Sequence, residues 1–347
     1  MKNRHLSLIL IILFVWLFVL TILFYEKYDS SSSKYEVNEY NVSGFSTDFS
    51  NIVEEVKSSI VAIEQNSNIS SGFIYTKQDN MVYIISTFHG VSESENANIY
   101  FNNGVKVSAK VVGQDIFADV ALLACEFPYE VKSLTLGDSD LLKSGEFVLS
   151  VGCANSLDYA FSSTFGMVSE KYREIENRIS FNEENYNYYL GVIQLSGDYV
   201  NGYSGAPVIN MNGEVVGLLS MEDDGNVLAT TINEVKVVAK KLLNNEEYTR
   251  LNFGLSGRYI KDLENYEKNS LDINIEIVDG YYVSEVKNSS IASNMGILKG
   301  DIIKSINGIE ILDIDSFLEV IYGSEKEISV ELVRNNEELS LKGYIYD

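Results

Sequence analysis

Asn201-Gly202-Tyr203-Ser204-Gly205-Ala206-Pro207-Val208 is a serine between two glycines, followed by a short apolar stretch. Such a turn can aim the N–H groups of Gly202 and Ser204 at one carbonyl oxygen, which acyl transfer requires. A nucleophilic serine also needs a base and a group that orients the base. No histidine follows Ser204, and position 206 is alanine, so Gly-x-Ser-x-Gly is not completed. An α/β-hydrolase needs its histidine after the serine, so that fold is excluded.

The base must lie upstream. The chain holds 2 histidines, and His5 sits just before a long apolar run. His89 lies in Ser86-Thr87-Phe88-His89-Gly90-Val91, at the end of a strand-like stretch. Between His89 and Ser204 comes Phe117-Ala118-Asp119-Val120-Ala121-Leu122-Leu123, an acid opening an apolar strand. A half-buried carboxylate there would be compensated by an imidazolium hydrogen bond. Each signal alone is ordinary: a histidine in a core, a capping aspartate, a glycine turn. Their order of His, Asp, Ser is one of the chain orders known for this geometry.

Around these residues, short apolar or alternating stretches recur at 60–64, 73–75, 82–85, 105–112, 120–123, 147–151 and 215–219, separated by Gly, Asn and Asp. This spacing predicts a mainly β region built as a sandwich or barrels. A short amphipathic helical turn is expected near residues 51–57. A helix is predicted over residues 233–243, with Val235, Val238, Ala239 and Leu242 on one face. Asn244-Asn245-Glu246-Glu247 reads as a domain boundary, and the remainder is again β-rich with one helix at 314–322.

Residues 6–25 carry no charge and are long enough to cross about 30 Å of hydrocarbon. Lys2 and Arg4 precede the run, which leaves a short cytoplasmic tail (1–5) and places the bulk of the chain outside. A cleaved signal peptide is the competing reading, but Phe24-Tyr25-Glu26-Lys27 offers no small-residue cleavage site. Residues 26–48, with Ser30-Ser31-Ser32-Ser33, read as a flexible linker. Lys and Arg number 26 and Asp and Glu 50, a net charge of −24, which disfavours nucleic acid as a partner. Cys125 and Cys153 lie in apolar stretches; they read as buried small side chains, with a disulfide as the alternative. Two cysteines and one usable histidine do not make a common zinc site, and neither a metal nor another cofactor is expected.

The chain resembles the HtrA/Deg family of trypsin-like serine proteases. Ser71-Gly72-Phe73-Ile74 is similar to the family's Gly-Ser-Gly-Phe-Ile. The His89 segment is similar to Thr-Asn-x-His-Val-Val, and Ala118-Asp119-Val120-Ala121-Leu122-Leu123 to Thr-Asp-Leu-Ala-Val-Leu. Gly202-Tyr203-Ser204-Gly205-Ala206-Pro207 is similar to Gly-Asn-Ser-Gly-Gly-Pro. The resemblance implies a double β-barrel protease domain over 49–245, with His89 as base, Asp119 orienting it and Ser204 as nucleophile. It also implies that Leu218, Leu219, Ser220 and Met221 pair with substrate backbone. Tyr203, Ala206 and Gly90 depart from the pattern, and Leu195-Ser196-Gly197 replaces the usual Thr-Asp-Ala. Tyr203 is a bulky side chain beside a loop that must form an oxyanion site. Asp198, six residues before Ser204, falls where trypsin-like folds place the wall of the primary specificity pocket. A solvent-facing loop acid is the plainer reading.

Farther on, Asn252-Phe253-Gly254-Leu255 resembles the carboxylate-binding loop of a PDZ domain (250–347), with Phe253, Gly254 and Leu255 presenting backbone N–H groups to a peptide C-terminus. Met295-Gly296-Ile297-Leu298-Lys299-Gly300-Asp301-Ile302-Ile303 and Ile306-Asn307-Gly308 match further segments of such a domain. Together these imply a single-pass membrane protease acting on unfolded or exposed protein segments in extracytoplasmic quality control or stress response. Its PDZ domain would bind peptide C-termini, and the family implies homotrimers. A catalytically silent chaperone of the same fold, or a regulatory protease with one signalling substrate, are the alternatives.

Overall fold

The computed structural model describes residues 15–22 and 49–344, apart from 93, 182, 183, 224, 225, 249, 252, 289, 324 and 325. Contacts divide the chain between Thr47 and Asp48. Residues 15–22 are helical and exposed. The expected anchor at 6–25 lies mostly outside the described residues, and the linker at 26–48 wholly so. Among the described residues, no helix is long and apolar enough to cross a membrane.

The second unit is mainly β. Strands β1 (Ile60–Gln65), β2 (Asn68–Gln78), β3 (Met81–Ser86), β4 (Asn96–Phe101), β5 (Lys106–Asp115) and β6 (Val120–Glu126) form a closed barrel in the order β1-β2-β3-β6-β5-β4. Strands β7 (Phe147–Gly152), β8 (Ser162–Phe181), β9 (Glu184–Gly197), β10 (Pro207–Ile209), β11 (Val215–Asp223) and β12 (Asn226–Thr231) close a second barrel in the order β10-β11-β12-β9-β8-β7. Full closure removes the strand edges that an open sheet would expose.

Strand β6 shows why these strands read as continuous apolar runs. Ala121, Leu123 and Cys125 fill the first barrel, while Val120 and Leu122 face a shared core with Leu149, Val151 and Leu218 of the second. Alternation is lost because both faces are buried. Cys125 and Cys153 are free, buried thiols. Burial pushes each up to about 11, so both remain protonated and inert.

Helix α1 (Ser50–Lys57) precedes the first barrel, and a single turn, α2 (Phe88–Val91), follows β3. Helix α3 (Ile232–Asn244) leaves β12 with Ile232, Val235, Val238 and Ala239 buried, and Asn245 ends it in a left-handed conformation. The last sheet has the order β13-β14-β15-β17-β18 from strands β13 (Leu255–Tyr259), β14 (Tyr281–Val286), β15 (Ile302–Ile306), β17 (Glu327–Arg334) and β18 (Glu337–Tyr344), with β16 (Ile309–Glu310) paired to β15. Helices α4 (Asn265–Ser270), α5 (Ile291–Met295) and α6 (Ile314–Ile321) accompany it. Strand β13 stands at the sheet edge. Ile314, Leu318 and Tyr322 join the same hydrophobic cluster as α3 and the inter-barrel core. The last sheet is therefore packed onto the barrels, which the boundary at residues 244–247 did not suggest.

Candidate active site

Each barrel supplies candidate residues, and Ser220 joins them, bonding Asp119 and lining the pocket beside Ser204. The turn after β3 carries His89, the residue before β6 is Asp119, and the turn before β10 carries Ser204. Asp119 has φ of 54°, a left-handed conformation that aspartate tolerates better than most residues. Its Oδ2 lies 2.7 Å from His89 Nδ1, and its Oδ1 accepts the His89 N–H at 3.0 Å. Ser220 Oγ donates to the same Oδ2 at 2.7 Å. Three donors therefore compensate a carboxylate that is only 4% exposed. The Nδ1 contact assigns the proton to that nitrogen and leaves Nε2 as the basic one. Burial pulls the imidazole down, but the hydrogen bond and charge of Asp119 outweigh it and leave His89 above its ordinary value. Ser204 Oγ forms no hydrogen bond to His89, and such contacts are often loose before substrate binds.

The serine turn is braced from the first barrel. Ser71, fully buried on β2, donates its N–H to the Ser204 carbonyl at 2.8 Å and its Oγ to the Gly202 carbonyl at 2.7 Å. Ser71 Oγ also accepts from Cys153 N–H at 2.8 Å. The intervening N–H groups are used locally: Tyr203 donates to the Val200 carbonyl and Gly205 to the Leu219 carbonyl. Gly202 and Ser204 are left, and their N–H groups have no partner among the described residues. The Asn201 carbonyl accepts from Asn155 N–H at 2.7 Å. In a trans peptide C=O and N–H point opposite ways, so the Gly202 N–H is turned away from that loop. Glycine is required on both sides of the serine. A Cβ at Gly202 would meet the Cys153 carbonyl at 2.2 Å, and one at Gly205 the Ser71 carbonyl at 2.1 Å; both have positive φ.

Tyr203 does not obstruct this turn. It is 4% exposed and points into the second barrel, edge-on to Tyr199 with ring centres 6.2 Å apart. Gly152 makes the space, since a Cβ there would lie 2.9 Å from the Tyr203 ring. Beside Ser204 a pocket of about 80 Å³ is lined by Tyr199, Tyr203, Leu219, Val227 and Leu228. Asp198 is not part of it; the residue is exposed and its carbonyl accepts from Thr164 Oγ1 at 2.9 Å.

The expected substrate-pairing segment needs correction. Leu218 pairs with Pro207 on one side and Thr230 on the other, and the Leu219 N–H and carbonyl bond to Ala206 and Gly205. These backbone groups are consumed within the barrel. Past Leu219, β11 runs beyond the short β10 and pairs only with β12 among the described residues, with Ser220 in a bulge between Leu219 and Met221, so the free edge begins at Ser220.

A second candidate groove lies between β13 and α6. Phe253 and Gly254 stand at its start, and Leu255, Phe317, Leu318 and Ile321 line it. Gly254 has φ of 66°, and its carbonyl accepts from Lys287 N–H at 2.8 Å. Arg250, which the sequence reading passed over, closes this end of the groove. Its guanidinium meets Glu234 Oε1 of α3 at 3.3 Å and donates from Nε to Tyr322 Oη at 3.1 Å, while Tyr322 donates to the same Glu234 oxygen at 2.6 Å. The Arg250 and Glu234 side chains are 6% and 4% exposed. Burial pushes the Glu234 carboxyl up, and Arg250 and Tyr322 only partly offset it. The spacing Arg250-x-x-x-Gly254 was the available signal; Glu234 had none.

The chain matches a trypsin-like peptidase domain over residues 70–218 and a PDZ domain over residues 255–342. It is 28% identical over 288 residues to a serine protease HtrA-like protein of Staphylococcus epidermidis, covering 80% of this chain and 49% of that one. A serine protease Do-like HtrA of Lactobacillus helveticus is 28% identical over 283 residues, covering 78% and 67%. The chain thus spans about half the length of the first relative. Among solved structures, an HtrA-type protease AlgW with tripeptide shares the fold at TM-score 0.57 and 20% identity, covering 85% of this chain and 96% of that one. The serine endoprotease from Yersinia pestis does so at TM-score 0.52 and 20% identity, covering 87% and 98%. The chain therefore matches a trypsin-like peptidase domain, here two barrels, and then a single PDZ domain, and it is similar to HtrA-like serine proteases.

Proposed function

We propose that the chain is a serine endopeptidase. The observation that carries this reading is the pair of N–H groups, Gly202 and Ser204, without partners among the described residues, together with a His89 held by Asp119. Ser204 Oγ attacks the scissile carbonyl and passes its proton to His89 Nε2. Asp119 stabilises the imidazolium that forms, and Ser220 keeps that carboxylate in place. The two N–H groups take the oxyanion. His89 then returns the proton to the leaving amine.

The small pocket, walled by Tyr199, Tyr203, Leu219, Val227 and Leu228 with Asn201 and Ser220, suits a small side chain before the cut bond. The free edge from Ser220 suits an extended segment, so unfolded or exposed stretches of protein are the proposed substrates. The PDZ groove suits a peptide C-terminus added to the β13 edge. Arg250 is already engaged by Glu234, so a peptide carboxylate would compete with this protease-domain side chain. We place the protein in the cell membrane through residues 6–25, with the protease and PDZ domains extracytoplasmic, acting in quality control and as a homotrimer in keeping with the family.

The test is cleavage of an unfolded protein by the purified full chain beside Ser204→Ala. Cleavage is expected to fall by on the order of 10⁵-fold. Equal cleavage by both proteins rejects the mechanism. Protection of the unfolded protein from aggregation, with no cleavage by either, would favour a silent chaperone. Labelling of Ser204 by a fluorophosphonate reads whether the oxyanion site forms. N-terminal profiling of cleaved proteins against Ser204→Ala separates broad use from a single signalling substrate.

A further inference from the structure

Asp115 ends β5 four residues before Asp119 and is only 5% exposed. Its Oδ1 accepts the N–H groups of Phe117 at 2.9 Å and Ala118 at 2.7 Å. This closes the backbone into a tight turn, so the path into Asp119 is set by one side-chain oxygen. The neighbouring backbone is held as well: the Ala118 carbonyl accepts from Thr230 Oγ1 at 3.1 Å, and the Asp119 carbonyl from Phe88 N–H at 3.2 Å. Asp119 therefore sits at the end of a turn with little freedom, in the left-handed conformation that aims its carboxylate at His89.

The other oxygen of Asp115 faces away from this turn. It accepts the Tyr248 hydroxyl at 2.8 Å. Tyr248 lies in the connection between α3 and the PDZ domain. Its ring stands edge-on to Tyr322 of the PDZ domain, with centres 5.5 Å apart. Arg250 places its guanidinium 5.9 Å from the Phe117 ring and 5.8 Å from the Tyr322 ring. The turn before Asp119 is thus gripped from inside by its own aspartate and from outside by the inter-domain connection.

We propose that Asp115 and Tyr248 are positioning residues for the catalytic dyad: the Tyr248–Asp115 hydrogen bond ties the seating of the PDZ domain to the angle at which Asp119 meets His89. This deepens the endopeptidase reading and rests on it for its effect on rate. The route runs through the first barrel and leaves the oxyanion turn, on the second barrel, untouched. Removing the phenol hydroxyl leaves Asp115 Oδ2 buried without its donor, which favours rotation of the carboxylate and loosens the turn.

The chain has 2 histidines, so the titration of His89 can be followed by NMR in the full chain with His5 as internal reference. In Tyr248→Phe the His89 midpoint is expected to fall by about 0.5 pH, in the direction of Asp119→Asn, and kcat by about 10-fold with KM unchanged. Asp115→Asn, which keeps an oxygen for Phe117 and Ala118, is expected to move the midpoint the same way. A Tyr248→Phe protein that melts earlier but titrates like wild type overturns the proposal, because its role is then structural only. The titration needs no turnover, so it decides the matter even if Ser204→Ala shows that the endopeptidase reading is wrong. Should Asp115→Asn not fold, Tyr248→Phe alone decides.

Discussion

The two grooves of this protein differ in one respect. Beside Ser204, the N–H groups of Gly202 and Ser204 are left without partners among the described residues, although Ser71, Asn155 and Ala206 hold the carbonyls around them. Beside Gly254, the cation that ends the groove is already satisfied by Glu234 and Tyr322. Unmade hydrogen bonds in a rigid frame mark the place where a ligand gains most. A satisfied buried ion pair marks a place where a ligand must first displace something. The contrast teaches that the donors beside Ser204 are set and left open, whereas the cation beside Gly254 is held by the rest of the molecule.

Replacing Asp119 with Asn tests the first half of the contrast most severely. It keeps the shape but removes the charge that holds His89, and kcat is expected to fall about 10⁴-fold. In the wild type, His89 stands above its ordinary 6.5, so activity should rise with pH through a midpoint above that value as the imidazole becomes neutral. The same shift means that protonated His89 stabilises the fold below pH 6.5, a contribution lost as pH rises through the folded midpoint. A wild-type rate profile with its midpoint below 6.5 would contradict the observed Asp119 contact as the controlling one.

Glu234→Gln tests the second half. It removes the internal competitor for Arg250, and a peptide with a free C-terminus should bind about 10-fold more tightly by fluorescence anisotropy, while its amidated form gains nothing. The variant should also lose about 2 kcal/mol of stability, since buried Arg250 loses its counter-charge. Unchanged affinity would show that Glu234 does not guard the groove.

The smallest effect concerns the wider cavity next to that groove, about 530 Å³, which Asp140, Arg258, Tyr259 and Lys261 help to line. Burial and the charges of Asp138, Asp315 and Asp313 raise Asp140 to about 6, with Lys261 opposing. A carboxyl raised in the folded state costs nothing below its ordinary value of 3.8. The cost grows as pH rises toward 6 and is complete above it. Asp140→Asn should therefore raise the melting temperature at pH 7.5, by the equivalent of about 2 kcal/mol at most, and by little at pH 4. Equal gains at both pH values would place the cause elsewhere.

How far the site could be read in advance depended on distance along the chain. The His89, Asp119 and Ser204 positions each carry local chemistry: a histidine at a strand end, an acid opening a strand, glycines where a Cβ would collide. Tyr203 looked obstructive because its neighbours in sequence gave it no room; Gly152, fifty-one positions away, does. Leu218 and Leu219 looked available for substrate because a strand pattern cannot say which of its edges is already taken. Ser71 belongs to a recognisable motif, yet its grip on Gly202 and Ser204 appears only when the barrels meet.

Sequence by itself determined the β class, the chain order of His89, Asp119 and Ser204 and the presence of a PDZ module, because strand period, turn chemistry and motif spacing are local properties. Tertiary structure alone decided which further carboxylates act as partners: Glu234 for Arg250 and Asp115 for Tyr248. A buried polar group must find a partner or bear a large penalty, but which partner it finds is set by how separate elements pack, and neither of these two carries a local mark among 50 acidic residues.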